Sequence, residues 1–182
     1  KYGVPISLSN LKKNTDYGVF EIGMSKKGEI NNLSKIVKPE TAIITNISEA
    51  HFVNFKTLKD IARAKAEIID NIVEQGSVVL NKDDRFFNFL SNKAKKKKIN
   101  ITSFSSEKKA DIFLMEVKKI RNQSRLKIAV KNEIFYFYTK YSTNNFINNF
   151  LACISTLFVL DLDLNKVKKN FINFSLPKGR GD

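Results

Sequence analysis

Three side chains in the first third of the chain are of the kinds that hold a cation or act as a nucleophile: Glu21, His51 and Lys65. Lys65 lies in TLKDIARAKAEIIDNIVEQG (57–76). An advance of about 100° per residue puts Ile61, Ala62, Lys65, Ile69, Ile72 and Val73 on one stripe, with Asp60, Arg63 and Glu67 opposite. A lysine on an apolar stripe has two outcomes. Either its stem packs while the ammonium snorkels to water, or burial lowers its pKa until the amine is neutral and nucleophilic. His51, the single histidine, sits in the loop NISEAHFVNFK between an apolar run and that helix, where the type serves as a local hydrogen-bonding group or as a ligand. Glu21 interrupts the apolar run YGVFEIG, a position that demands a charge partner or a metal.

The elements that must position these groups alternate along the first hundred residues. YGVFEIG (17–23), TAIIT (41–45), SVVL (77–80) and INITSF (99–104) read as strands. Helical spacing occupies GEINNLSKIV, which stops before Pro39, then the segment 57–76, then RFFNFLSNKAKKKK (85–98). Thr57 is an N-cap with Asp60 in the capping-box position, and Gly76 follows the end of that helix. DIFLMEVKKI, SRLKIAV and EIFYFYT then read as three short strands of a meander, and Asn144–Leu160 and Asn165–Phe174 return to helical spacing. The expected fold is therefore α/β, a mostly parallel sheet with helices on both faces plus a small antiparallel sheet. Ligands of such sheets gather beyond the carboxyl ends of the strands, a rim shared by Glu21, the His51 loop and the turn Asn81-Lys82-Asp83-Asp84.

Composition narrows the function classes. The chain has 182 residues, 42% hydrophobic and 27% charged, enough apolar material for a real core and incompatible with overall disorder. Its longest apolar run, FLACISTLFVL, is half of what a bilayer crossing needs, so a soluble protein without membrane insertion is expected. One cysteine, Cys153, allows no internal disulfide and fits a reducing, cytoplasmic setting. The absence of an initiating Met and the closing loop LPKGRGD make both ends read as cut, as in an interior piece of a longer protein. Thirty-two Lys and Arg against eighteen Asp and Glu leave a charge of +14. That excess suits a basic nucleic-acid-binding module or reflects the Lys, Asn and Ile bias of an AT-rich coding sequence. The one dense basic run, Lys95 to Lys98, reads as a solvated helix end, and no recognised nucleic-acid motif accompanies the charge.

EIGMSKKGEI, TAIITNISEAH and IARAKAEI, in this order and spacing, resemble the central ATP-binding domain of the Mur ligases. The resemblance spans nearly the whole chain, with its strongest motifs between residues 17 and 84. It implies a P-loop NTPase-like domain, 1–182, that is partial: no G-x-x-x-x-G-K-[ST] occurs, and the UDP-sugar-binding N-terminal domain and the C-terminal domain lack counterparts. The implied reaction is ATP-dependent joining of D-alanyl-D-alanine to UDP-N-acetylmuramoyl-tripeptide through an acyl phosphate, by a monomer with no specific nucleic-acid partner. The ligase adding the third peptide residue and a folylpolyglutamate-synthase-like enzyme are the alternatives within the superfamily. The resemblance assigns metal binding to Glu21 and His51 and carbamylation to Lys65, fourteen positions after His51. A carbamate's oxygens suit Mg²⁺, with Mn²⁺ the alternative because of the histidine. STNNFINNFLA resembles the family's nucleotide-contacting helix start and assigns adenine contacts to Asn145 and Asn148, although Ser142 and Asn144 stand where the family has Gly and His. Arg180 takes the place of the phosphate-binding arginine. Without a P-loop, the 182 residues alone are expected to be inactive.

Overall fold

The computed structural model describes residues 2–48, 55–172 and 174–175. Six strands form one mixed sheet in sequence order: β1 (Thr41–Ile44), β2 (Ser77–Asn81), β3 (Asn100–Ser105), β4 (Ile112–Ile120), β5 (Gln123–Val130) and β6 (Glu133–Thr139). β1 to β4 run parallel, and β4, β5 and β6 form an antiparallel meander. The antiparallel part is not a sheet of its own, because Phe104 and Ser105 of β3 pair with Ile112 and Phe113 at the start of β4. The meander thus extends the sheet from the carboxyl end of β3.

Alternation along β2 decides how the helices are distributed. Val78 and Leu80 point to one face, where they meet Ile30 of α2 (Glu29–Val37), Ile61 of α3 (Leu58–Lys65), and Leu90 and Ala94 of α4 (Phe87–Lys96). Val79 points to the other, into a core with Phe104, Leu126, Ile128 and Phe137 that is closed by α5 (Asn144–Val159) and α6 (Leu164–Ile172). Helices therefore cover both faces, as two-sided burial of parallel strands requires. A short α1 (Gly3–Ser9), which hydropathy spacing did not reveal, packs against α2.

Two elements differ from the sequence reading. Residues 17–23 are not a strand: Val19 is 94% exposed and Tyr17 55%, and no described strand pairs with the segment. Apolar alternation makes a strand only where a neighbour supplies hydrogen bonds. The long helix of 57–76 is also two elements. α3 ends at Lys65, and Ala66–Asn71 continues as a 3₁₀ helix that opens into extended backbone at Ile72. Glu67, in this 3₁₀ segment, faces α2 and accepts the Gly28 and Asn31 amides. The N-terminal cap is as expected, with the Asp60 amide donating to Thr57 Oγ1 at 3.1 Å and that hydroxyl donating to Asp60 Oδ2 at 2.7 Å. Cys153 lies on the exposed side of α5.

Candidate functional site

Lys65 is the best-defined member of the site. It closes the last turn of α3 half-buried, and its Nζ donates to the Asn46 carbonyl at 2.7 Å. Burial pushes the amine pKa below the ordinary lysine value, and the nearby Asp84 carboxylate opposes that shift. Both outcomes allowed by the apolar stripe are present in part: the side chain is half-buried, while its amine donates to a carbonyl.

The carbonyl that receives Lys65 belongs to the loop leaving the carboxyl end of β1. Its peptide unit is held from both sides, because the N–H of the same unit, on Ile47, donates to Asp84 Oδ2 at 2.6 Å. Asp84 in turn comes from the turn after β2 and accepts the Phe86 amide at 2.8 Å. The adjacent Asp83 faces elsewhere and ties Ser105 Oγ at 2.6 Å and the Ser106 amide at 2.7 Å. Sequence reading placed the turn 81–84 on the rim but gave its carboxylates no task. The signal was the acid pair directly after a buried strand, where unsatisfied amides cluster.

Glu21 and Lys65 line one cavity of about 630 Å³, with Gly23, Thr41, Thr45 and Thr156 among its walls. Glu21 is exposed on the unpaired segment 17–23 rather than at a strand end. His51 and Arg180 lie outside the described residues. Asn145 and Asn148 occupy the first turns of α5 behind the N-cap Thr143, and the structure does not bring them into the Glu21–Lys65 cavity. Asn145 is exposed, whereas Asn148 buries an Oδ1 that has no hydrogen-bond partner among the described residues.

Two fits can be tested on these side chains. A buried amide oxygen without a donor is costly, and an exocyclic amine of adenine would satisfy Asn148 Oδ1. For a divalent cation, no cluster of three His, Cys, Asp or Glu side chains exists among the described residues. Glu21 supplies one hard oxygen donor, and Lys65 fits a hard cation only after its amine has become an anionic carbamate.

The Mur ligase middle domain model matches residues 1–157. The UDP-N-acetylmuramoyl-tripeptide–D-alanyl-D-alanine ligase of Rickettsia prowazekii is 33% identical over 180 residues, which is 98% of this chain and 40% of that protein. The ligase of the same name from Borreliella burgdorferi is 33% identical over 184 residues, 99% of this chain and 38% of that protein. A crystal structure of MurF from Acinetobacter baumannii superposes with a TM-score of 0.89 at 28% identity, covering 98% of this chain and 39% of that one. The chain thus spans about two-fifths of the length of these relatives. The chain belongs to the Mur ligase family, and the part of the family that it matches is the middle domain.

Proposed function

We propose that this chain is the ATP-handling part of a ligase that joins D-alanyl-D-alanine to UDP-N-acetylmuramoyl-tripeptide. The single observation that carries the reading is the placement of Lys65 and Glu21 on one cavity along β1, together with relatives at 33% identity that bear this name. The reaction runs in two stages. A carboxylate oxygen of the tripeptide attacks the γ-phosphorus of ATP, the bond to the β-phosphate oxygen breaks, and ADP leaves. The amine of D-alanyl-D-alanine then attacks the acyl phosphate carbon, inorganic phosphate departs, and the amine loses a proton to solvent as the amide forms.

In this reading Lys65 serves as a carbamate. Its neutral amine adds to the carbon of CO₂, a proton passes to solvent, and the N–H that remains still donates to the Asn46 carbonyl. The carbamate oxygens and the Glu21 carboxylate would be the hard donors offered to a cation, with His51 assigned as a further donor by the family resemblance. A bound Mg²⁺ or Mn²⁺ supplies charge to screen the phosphate and acyl oxygens. Asn145 and Asn148 are assigned to adenine and Arg180 to a phosphate, where its permanent charge is suited to phosphoryl transfer. We place the reaction in the cytoplasm, in a monomer; no helix among the described residues is long and apolar enough to cross a membrane.

The test uses the protein expressed from the complete gene. ADP release is expected to require both UDP-N-acetylmuramoyl-tripeptide and D-alanyl-D-alanine, and its absence with this pair would reject the acceptor. Bicarbonate with Mg²⁺ is expected to protect Lys65 from acetic anhydride. An unprotected Lys65 would remove the carbamate from the mechanism.

A further inference from the structure

We propose that Asp84 is a positioning residue for Lys65, acting through the single peptide unit that joins Asn46 to Ile47; the importance of Lys65 rests on the functional reading above. The Asp84 carboxylate is shared between two backbone amides, Ile47 at 2.6 Å and Phe86 at 2.8 Å. The first reaches across 37 residues to the loop after β1, and the second closes the turn of Asp84 itself. On the far side of the Asn46–Ile47 peptide, the carbonyl takes the Lys65 amine from a third segment, 19 residues away. A peptide plane is rigid, so fixing its N–H fixes the direction of its C=O. That direction selects where Nζ sits and which way its remaining substituents point.

The arrangement also explains a choice of residue type at 84. A carboxylate offers acceptors only and satisfies both amides at once. An asparagine would keep one oxygen and present an NH₂ to the second amide, leaving one donor unpaired. Ile47 is 8% exposed, so its N–H has little access to water as a substitute, and the loop would shift to find one. Asp83, one residue earlier, holds Ser105 and Ser106 instead, and so provides a neighbouring carboxylate with no path to Lys65.

The experiment compares Asp84→Asn and Asp83→Asn in this chain with the unsubstituted chain. Amide hydrogen exchange at Ile47 is expected to speed up about tenfold in Asp84→Asn, in keeping with loss of one buried hydrogen bond, while the amide of Val79 in β2 keeps its rate. The limiting rate of Lys65 acylation by acetic anhydride, taken from its whole pH profile so that altered ionisation drops out, is expected to rise about fivefold as the amine loses its fixed carbonyl. Asp83→Asn should change neither. In the protein from the complete gene, Asp84→Asn should lower kcat about tenfold, the scale of losses seen when a group supporting a ligand is removed, with KM for ATP within twofold. An unchanged limiting rate at Lys65 overturns the proposal even if Ile47 exchanges faster, because Asp84 is then only structural. A parent protein without ligase activity defeats the functional reading and leaves the exchange and acylation outcomes to decide the positioning role.

Discussion

The Glu67 carboxylate caps a helix that is not its own: Oε1 and Oε2 accept the Gly28 amide at 2.8 and 3.1 Å, and Oε2 also accepts the Asn31 amide at 3.1 Å. Those amides belong to the N-terminus of α2, where four N–H groups lack partners inside the helix and a negative charge is favoured. Gly28 stands there with φ of 88°, a left-handed conformation that only glycine adopts without strain. Asn71, four residues further on, adds Nδ2 bonds to Asn31 Oδ1 at 3.0 Å and Ser34 Oγ at 2.8 Å. The element that presents Lys65 is thereby tied to the segment that follows Glu21.

Glu67→Ala is expected to destabilise the chain by about 1 kcal/mol, since it leaves two half-buried donors without their acceptor instead of merely removing a surface charge. Glu67→Gln keeps one acceptor oxygen and should cost less. Urea denaturation monitored by circular dichroism would measure both, and equal midpoints for Glu67→Ala and the parent would show that water replaces the cap.

Among the meander's core residues, Phe137 joins both helices that close this face. Phe137 is fully buried on β6 and meets Phe150 of α5 edge-on at 5.3 Å and Phe171 of α6 at 5.9 Å. Truncating a buried Phe to Ala costs about 3–5 kcal/mol through lost transfer energy and the cavity left behind. Phe137→Ala is therefore expected to unfold at much lower urea, while the neighbouring Tyr138→Ala, exposed on the opposite face of β6, shifts the midpoint little. A small effect at Phe137 would mean that the α5 and α6 contacts collapse to refill the space.

Local rules read most of the framework correctly because they concern groups that satisfy one another within a few residues. Thr57 and Asp60 are such a pair, and the continuous apolar run of β2 is buried on both faces as its composition requires, whereas Ile43 leaves one face of the equally apolar β1 exposed. Lys65 was legible from periodicity because α3 remains α-helical up to that residue. Glu67 was not: it stands on the face opposite the apolar stripe, and that face is covered by the N-terminus of α2 rather than by solvent. Asp84 escaped for a different reason. Its partners lie 37 residues back and two residues ahead, and no periodicity links a turn carboxylate to a distant loop amide. Residues 17–23 carry strand composition without a strand, since composition reports burial preference and not the presence of a pairing neighbour.

Gly76 stands where a helix terminator is expected, yet the helical winding stops at Asn71 and the glycine answers a steric demand instead. A Cβ built there would lie 2.5 Å from Ile72 Cγ2, 2.7 Å from the Glu40 carbonyl oxygen and 2.9 Å from that of Val73. Two of those atoms are backbone, and the Glu40 carbonyl also accepts the Ser77 amide at 2.8 Å as β1 and β2 come together. Gly76→Ala must push the chain entering β2 away from the chain entering β1. The expected cost is about 1–3 kcal/mol, typical of overpacking, read as a lower thermal midpoint; an unaltered midpoint would show that the Ile72 side chain and the turn yield together.

The last expectation concerns acid. Burial works to raise the Asp111 pKa, but Lys131 and the hydroxyl and amide of Ser103 outweigh it and hold the carboxyl below its ordinary value. Ser103 donates to Oδ2 through its amide at 2.8 Å and its hydroxyl at 2.6 Å, and Lys131 pairs with Oδ1. These contacts join β3 to both β4 and β5 at the point where the parallel sheet passes into the meander. A carboxyl whose pKa is lower folded than unfolded binds fewer protons in the native state, so its contribution is fully present above the unfolded value of about 3.9 and is lost as pH falls through the folded value. Stability should accordingly hold from neutral pH down to about 5 and decline steeply below about 4. Asp111→Asn should lower the urea midpoint at neutral pH and flatten part of the acid decline, because the substituted side chain no longer exchanges a proton on unfolding. If the variant keeps the parent's slope below pH 4, the acid sensitivity resides in other carboxylates and the Asp111–Lys131 pair contributes nothing to it.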